Sequence, residues 1–190
     1  VDAGTGTDAV DFSVARGTWT GAITGAETVT ATYTGSATVD ATGIEGYTTL
    51  NVTASGNTAA TSLKNIGDAT INLSDDSVEG GGDGDIEAMT IDTTDDATIT
   101  VNLGANQEAA TPVGADLASL TVEDAESVTL KASGGSFGNL ITHDFETVTL
   151  DDDETTSVTI TSADYTSLEA NIAGSESVAT LSVDAAGVES

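Results

Sequence analysis

Threonine and apolar residues exchange one for one over short stretches of this chain, and that rhythm limits what it can fold into. In Glu27 to Thr34 (ETVTATYT), Val29, Ala31 and Tyr33 alternate with Thr28, Thr30, Thr32 and Thr34. Successive side chains of an extended strand point to opposite faces, so such a stretch buries one face and wets the other. The pattern returns in Leu50/Val52/Ala54, Ile71/Leu73, Met89/Ile91, Ile99/Val101/Leu103, Leu120/Val122 and Val128/Leu130/Ala132. It continues in Val148/Leu150, Val158/Ile160, Leu168/Ala170/Ile172 and Leu181/Val183/Ala185. Threonine, aspartate, glycine and valine are all weak helix formers, and β-branched residues suit strands. The chain is predicted to be all-β.

The strands recur at a beat of about 10 residues or its double, the mark of a repeat architecture. Ala118 to Ser133, Phe145 to Ser162 and Ser167 to Ala185 each hold two apolar strands joined by an acidic corner. Insertions are expected near Asn57 to Lys64, Glu79 to Asp85 and Ala105 to Asp116, the last holding Pro112. Two architectures fit. A parallel β-solenoid stacks rungs of roughly 20 residues about 4.8 Å apart. Tandem β-sandwiches would need about seven antiparallel strands per domain and the hairpins to join them. Two-residue hairpin signals are scarce, and aromatics make up 4% of residues, few for sandwich cores. The balance favours parallel β-solenoid or β-roll-like repeats over residues 14–190, with outward threonines in ladders.

Charge narrows the function classes. The formal net charge is −29, from 32 acidic residues against Arg16, Lys64 and Lys131. Nucleic acid demands a basic surface, so it is excluded as a partner, and anionic membranes are repelled. Divalent cations are the natural counter-charge. Global disorder is not expected, because the apolar fraction is 38% and the apolar residues recur regularly. There are no cysteines, hence no disulfide or thiol chemistry. No apolar run approaches the roughly 20 residues of a membrane helix, and no signal peptide opens the chain. Beginning within a glycine-rich turn points to Val1 as the edge of a longer protein.

That turn, Ala3 to Ser13 (AGTGTDAVDFS), carries the strongest motif. Gly4 and Gly6 alternate with Thr5 and Thr7, Asp8 follows, and Val10 comes two residues later. Glycines admit backbone angles that let carbonyls turn toward a cation, and a carboxylate is the hard donor that calcium prefers. The segment resembles the G-G-x-G-x-D-x-U turn of the repeats-in-toxin (RTX) family, with Ala3 in place of the first glycine. Residues 1–13 are accordingly read as the end of an RTX-like turn. In that family calcium lies between successive turns, so one copy supplies half a cage. The resemblance assigns Asp8 as ligand, with the Gly4 and Gly6 backbones beside it. Asp11 is a candidate donor outside the motif.

A weaker echo lies in EGGGDGDIE, Glu79 to Glu87, where Asp83 and Asp85 are candidate ligands. Its spacing departs from the turn by one residue, so a solvated acidic loop stays open as the alternative. Acidic corners form a third class: Asp75-Asp76, Asp95-Asp96, Glu123-Asp124 and Asp151, Asp152, Asp153 with Glu154. Stacked corners would bring carboxylates together, and cations would relieve their repulsion. A salt-adapted surface is the other reading.

Catalysis is not expected. His143 is the single histidine, and its neighbours Thr142 and Asp144 read as loop or strand edge. Paired carboxylates are too numerous for any pair to stand out, and Trp19, Tyr33, Tyr47 and Tyr165 are too dispersed for a sugar platform. Composition and motif together resemble calcium-dependent, type I-secreted proteins of Gram-negative bacteria, closest to Thr/Ala/Gly/Val-rich surface-layer (S-layer) proteins. The resemblance implies an extracellular, cell-surface module that self-assembles with calcium as a homo-oligomer or polymer, with cell-surface polysaccharide as a second partner class. The alternative is an adhesin or glycan-binding module of a large RTX protein. Asn51-Val52-Thr53 and Asn72-Leu73-Ser74 also match the glycosylation acceptor pattern.

Overall fold

The computed structural model describes residues 1–54, 61–75, 86–103, 117–132, 145–150, 157–162, 170–172 and 180–185. Fifteen strands fall in these residues, and every ladder between them is parallel. The fold is a parallel β-solenoid, as expected; tandem sandwiches are ruled out by the parallel pairing. The first rung runs through β1 (Ala9–Val14), β2 (Gly17–Trp19) and β3 (Ile23–Thr24). The second repeats it as β4 (Thr28–Tyr33), β5 (Ala37–Asp40) and β6 (Ile44–Glu45), with a single 3-10 turn at Ala41–Gly43 before β6. Below these come β7 (Thr49–Ala54), β8 (Thr61–Ile66) and β9 (Ala69–Asp75).

Two long strands, β10 (Ile86–Leu103) and β11 (Leu117–Ala132), each run along both main sides. Their corners are marked by register shifts between Asp92 and Ala97 and by a positive φ of 61° at Asp124. The expected acidic corners Asp95-Asp96 and Glu123-Asp124 fall at these bends. The chain continues through β12 (Phe145–Leu150), β13 (Ser157–Ser162), β14 (Ala170–Ile172) and β15 (Thr180–Ala185).

One main side, side A, stacks β1, β4, β7, β9, the second half of β10, the second half of β11, β13 and β15. The other, side B, stacks β2, β5, β8, the first halves of β10 and β11, β12 and β14. Rungs of about 20 residues hold at first: Thr28, Thr49 and Thr70 are register partners 21 residues apart. The step then lengthens to 30 between Asn72 and Asn102. Of the expected insertions, Asn57 to Lys64 is too long, because Thr61 already belongs to β8.

Alternation decides which residues fill the core. On side A, Val29, Leu50, Ile71 and Val101 form one buried column in register. On side B, Val39, Leu63, Ile91 and Val122 form its counterpart. Each such side chain contributes about 1.5–3 kcal/mol by leaving water. Tyr33 is wholly buried next to its smaller register neighbour Val14, and its hydroxyl donates to the Ser62 carbonyl at 3.1 Å. Burial holds that phenol far above its ordinary pKa, so it stays neutral. In the first rung, Phe12 and Trp19 stack with ring centroids 4.1 Å apart, covering the end of the core. They occupy register positions held in the next rung by Ala31 and Val39.

Candidate functional site

The glycine turn sits at the start of side A. Gly4 and Gly6 have φ of +95° and +147°, which L side chains avoid. The Gly4 N–H donates to Asp2 Oδ1 at 3.1 Å. Just before β1, the Asp8 N–H donates to Glu27 Oε2 at 2.7 Å, and the Asp8 carbonyl accepts from Glu27 and Thr28 of the next rung. The Asp8 carboxylate lies against Gly6, where an added Cβ would stand 3.5 Å from Oδ2. Asp8 Oδ2 is buried without a hydrogen-bond partner. Leaving such an acceptor unsatisfied costs about 1–3 kcal/mol.

The Glu27 carboxylate thus reaches the backbone of Asp8 from the next rung, and the Asp8 carboxylate presents a buried, unused oxygen. This donor chemistry suits a hard cation such as calcium. Asp8 is the ligand that the motif's resemblance assigns. Glu27 was not singled out by its own sequence context; it reaches Asp8 through a step of 19 residues between rungs. Asp11 is exposed on the outer face of β1, opposite Thr30, between Val10 and Phe12, which pack against the core. Asp83, Asp85, Asp151, Asp152 and Asp153 lie outside the described residues, as does His143. Among the described residues no three acidic or histidine side chains converge on one point.

A second charged cluster lies on side B. Asp40 and Lys64 are register partners, Lys64 Nζ lies 3.7 Å from Asp92 Oδ2, and Asp92 pairs with Glu123. Here Lys64 supplies a counter-charge among the carboxylates. Asp40 Oδ1 accepts from the Thr42 hydroxyl at 2.6 Å, the Thr42 N–H at 3.0 Å and the Asn65 amide at 2.9 Å. These bonds hold its carboxyl below the usual carboxylate range, the Thr42 hydroxyl most of all. Beside it an open cleft of about 440 Å³ is lined in part by Tyr47, Asn65 and Asp68. Its polar groups hold the frame: the Tyr47 hydroxyl accepts from the Gly67 N–H at 3.2 Å, and Asp68 Oδ1 from the Thr98 N–H at 2.8 Å. Burial raises the Tyr47 pKa, which keeps its hydroxyl protonated.

Side A carries a feature absent from the sequence reading. Asn102 Nδ2 donates to Asn72 Oδ1 at 2.8 Å, Asn72 Nδ2 to Asn51 Oδ1 at 2.9 Å, and Asn51 Nδ2 to Thr30 Oγ1 at 3.4 Å. Both acceptor-pattern asparagines thus have their side-chain nitrogens engaged in the ladder. No helix among the described residues is long and apolar enough to cross a membrane. Comparison of the chain with protein-family models, with curated proteins and with solved structures found no match.

Proposed function

We propose that this chain is a structural module of an extracellular, calcium-dependent surface layer or filament. The observation that supports the reading is the buried, unpartnered Asp8 oxygen in a glycine turn beside Glu27. Asp8 and Glu27 would hold the cation, with backbone carbonyls of the turn as further hard donors. Calcium would supply charge neutralisation, letting the first two rungs close without carboxylate repulsion. The chain's net charge of −29 makes the same neutralisation a condition for copies to approach one another.

Binding to the folded state alone adds stability as free calcium rises, about 2.7 kcal/mol at 100 times the dissociation constant. Thermal melting in calcium rises well above melting in chelator, Asp8→Asn removes most of that rise, and electron microscopy shows ordered assemblies that chelator dissolves. Identical melts in the two conditions, with assemblies intact in chelator, overturn the proposal. A calcium-stabilised monomer that forms no assembly favours an adhesin module instead.

A further inference from the structure

In a chain this acidic, four successive rungs of side A, from β4 to the second half of β10, have no charge at their described outward positions. Those positions form short rows: Thr28, Thr30 and Thr32; Thr49, Asn51 and Thr53; Thr70 and Asn72; Thr100 and Asn102. All are partly exposed. The corresponding outward column of side B holds Asp40, Lys64, Asp92 and Glu123. On side A, charge returns at Asp11 above, the register partner of Thr30. Over the same four rungs the outward positions of side B carry Asp40, Lys64, Asp92 and Glu123, whereas those of side A carry no charge.

We infer that this uncharged Thr/Asn face is the surface through which one copy of the chain meets a second copy. The inference rests on the assembly reading above and names the contact it requires. Two copies, each with a net charge of −29, repel wherever carboxylates face carboxylates. Packed sheets lie about 10 Å apart and their facing side chains meet between them, inside the roughly 8 Å screening length at physiological salt, so a charge on this face would meet its counterpart poorly screened. Hydroxyls and amides set on ladders at rung spacing give the second copy a matching row of donors and acceptors. The ladder bonds of Asn51 and Asn72 hold those groups in place before contact, which lowers the ordering cost.

Four rungs about 4.8 Å apart, by five residues at about 3.3 Å, give a patch of roughly 300 Å². A stable pairwise interface takes about 800 Å² from each partner, so one such contact is weak. It holds in an array, where repeated contacts reinforce one another. Glu27 and Asp68 stand at the margin of the face, so cations that quiet those carboxylates also favour the contact.

The test compares variants with the same change in net charge at different places. Thr49→Glu and Asn51→Asp put a charge on side A; Thr90→Glu puts one on side B. Asn51→Asp keeps the shape and the acceptor for Asn72, which guards against a failure to fold. All are examined in calcium by sedimentation velocity and electron microscopy, with melting curves to verify folding. The parent and Thr90→Glu should assemble alike, and the two side A variants should need at least about tenfold more protein. Side A variants that assemble like the parent overturn this face and leave the assembly reading standing. A parent that stays monomeric overturns both. A monomeric parent that sediments with insoluble cellulose, and loses this on Thr49→Glu, overturns the second copy in favour of a glycan chain.

Discussion

Asp8 and Gly25 illustrate two ways in which single residues secure the first turn. Gly25 has a φ of +74°, and a Cβ built there would lie 2.7 Å from the Gly4 carbonyl oxygen. Gly25→Ala therefore meets both backbone strain and a clash, and should lower unfolding stability by at least about 1–2 kcal/mol in urea titrations; an unchanged midpoint would show that the two turns do not touch. Asp40 offers a pH signature. Its folded pKa is lowered, so its contribution is complete above the unfolded value near ~3.9 and is lost as pH falls through the folded value. Asp40→Asn should be less stable than the parent at neutral pH, with the gap closing in acid. A gap of constant size across the pH series counts against this. Asp8 was legible from its glycines, whereas Glu27 was not, because adjacency across rungs leaves no local trace.

At the scale of the strand, side A was legible and side B less so. The side A strands carry strong apolar residues at alternate positions, as in β4, β7 and β9. In β5 and β8 the buried positions include Ala37 and Thr61, a small residue and a polar one, so period two is faint. The threonine ladders were expected from composition; the asparagine ladder required the register. Asn72 both donates to Asn51 and accepts from Asn102. Asn72→Ala breaks both links and should cost about 1–3 kcal/mol, read as a lower chemical denaturation midpoint, with Asn72→Gln recovering little because its longer arm misses the register. A cost within about 0.5 kcal/mol would reduce the ladder to ornament on the surface.

For the whole molecule, charge opposes compaction. With 32 acidic residues and three basic ones, folding concentrates like charge that the unfolded chain spreads out. Raising monovalent salt from about 0.01 M to about 1 M shortens the screening length from roughly 30 Å to 3 Å. In chelator, the melting temperature should therefore climb with sodium chloride; a flat profile would mean that repulsion is already neutralised locally, as at Lys64 and Asp92.

The sequence by itself determined the all-β class, the side of each well-patterned strand that faces the core, and the glycine turn that presents Asp8. Those properties are local: they follow from consecutive residues, from period two and from the angles open to glycine. Only the tertiary structure decided which residues become neighbours between rungs. The steps between rungs range from 19 to 31 residues, so packing and corner length, not sequence distance, set the register. That register places Glu27 against Asp8, Lys64 beside Asp92 and asparagine upon asparagine, and it leaves four rungs of one side of an acidic chain without outward charge.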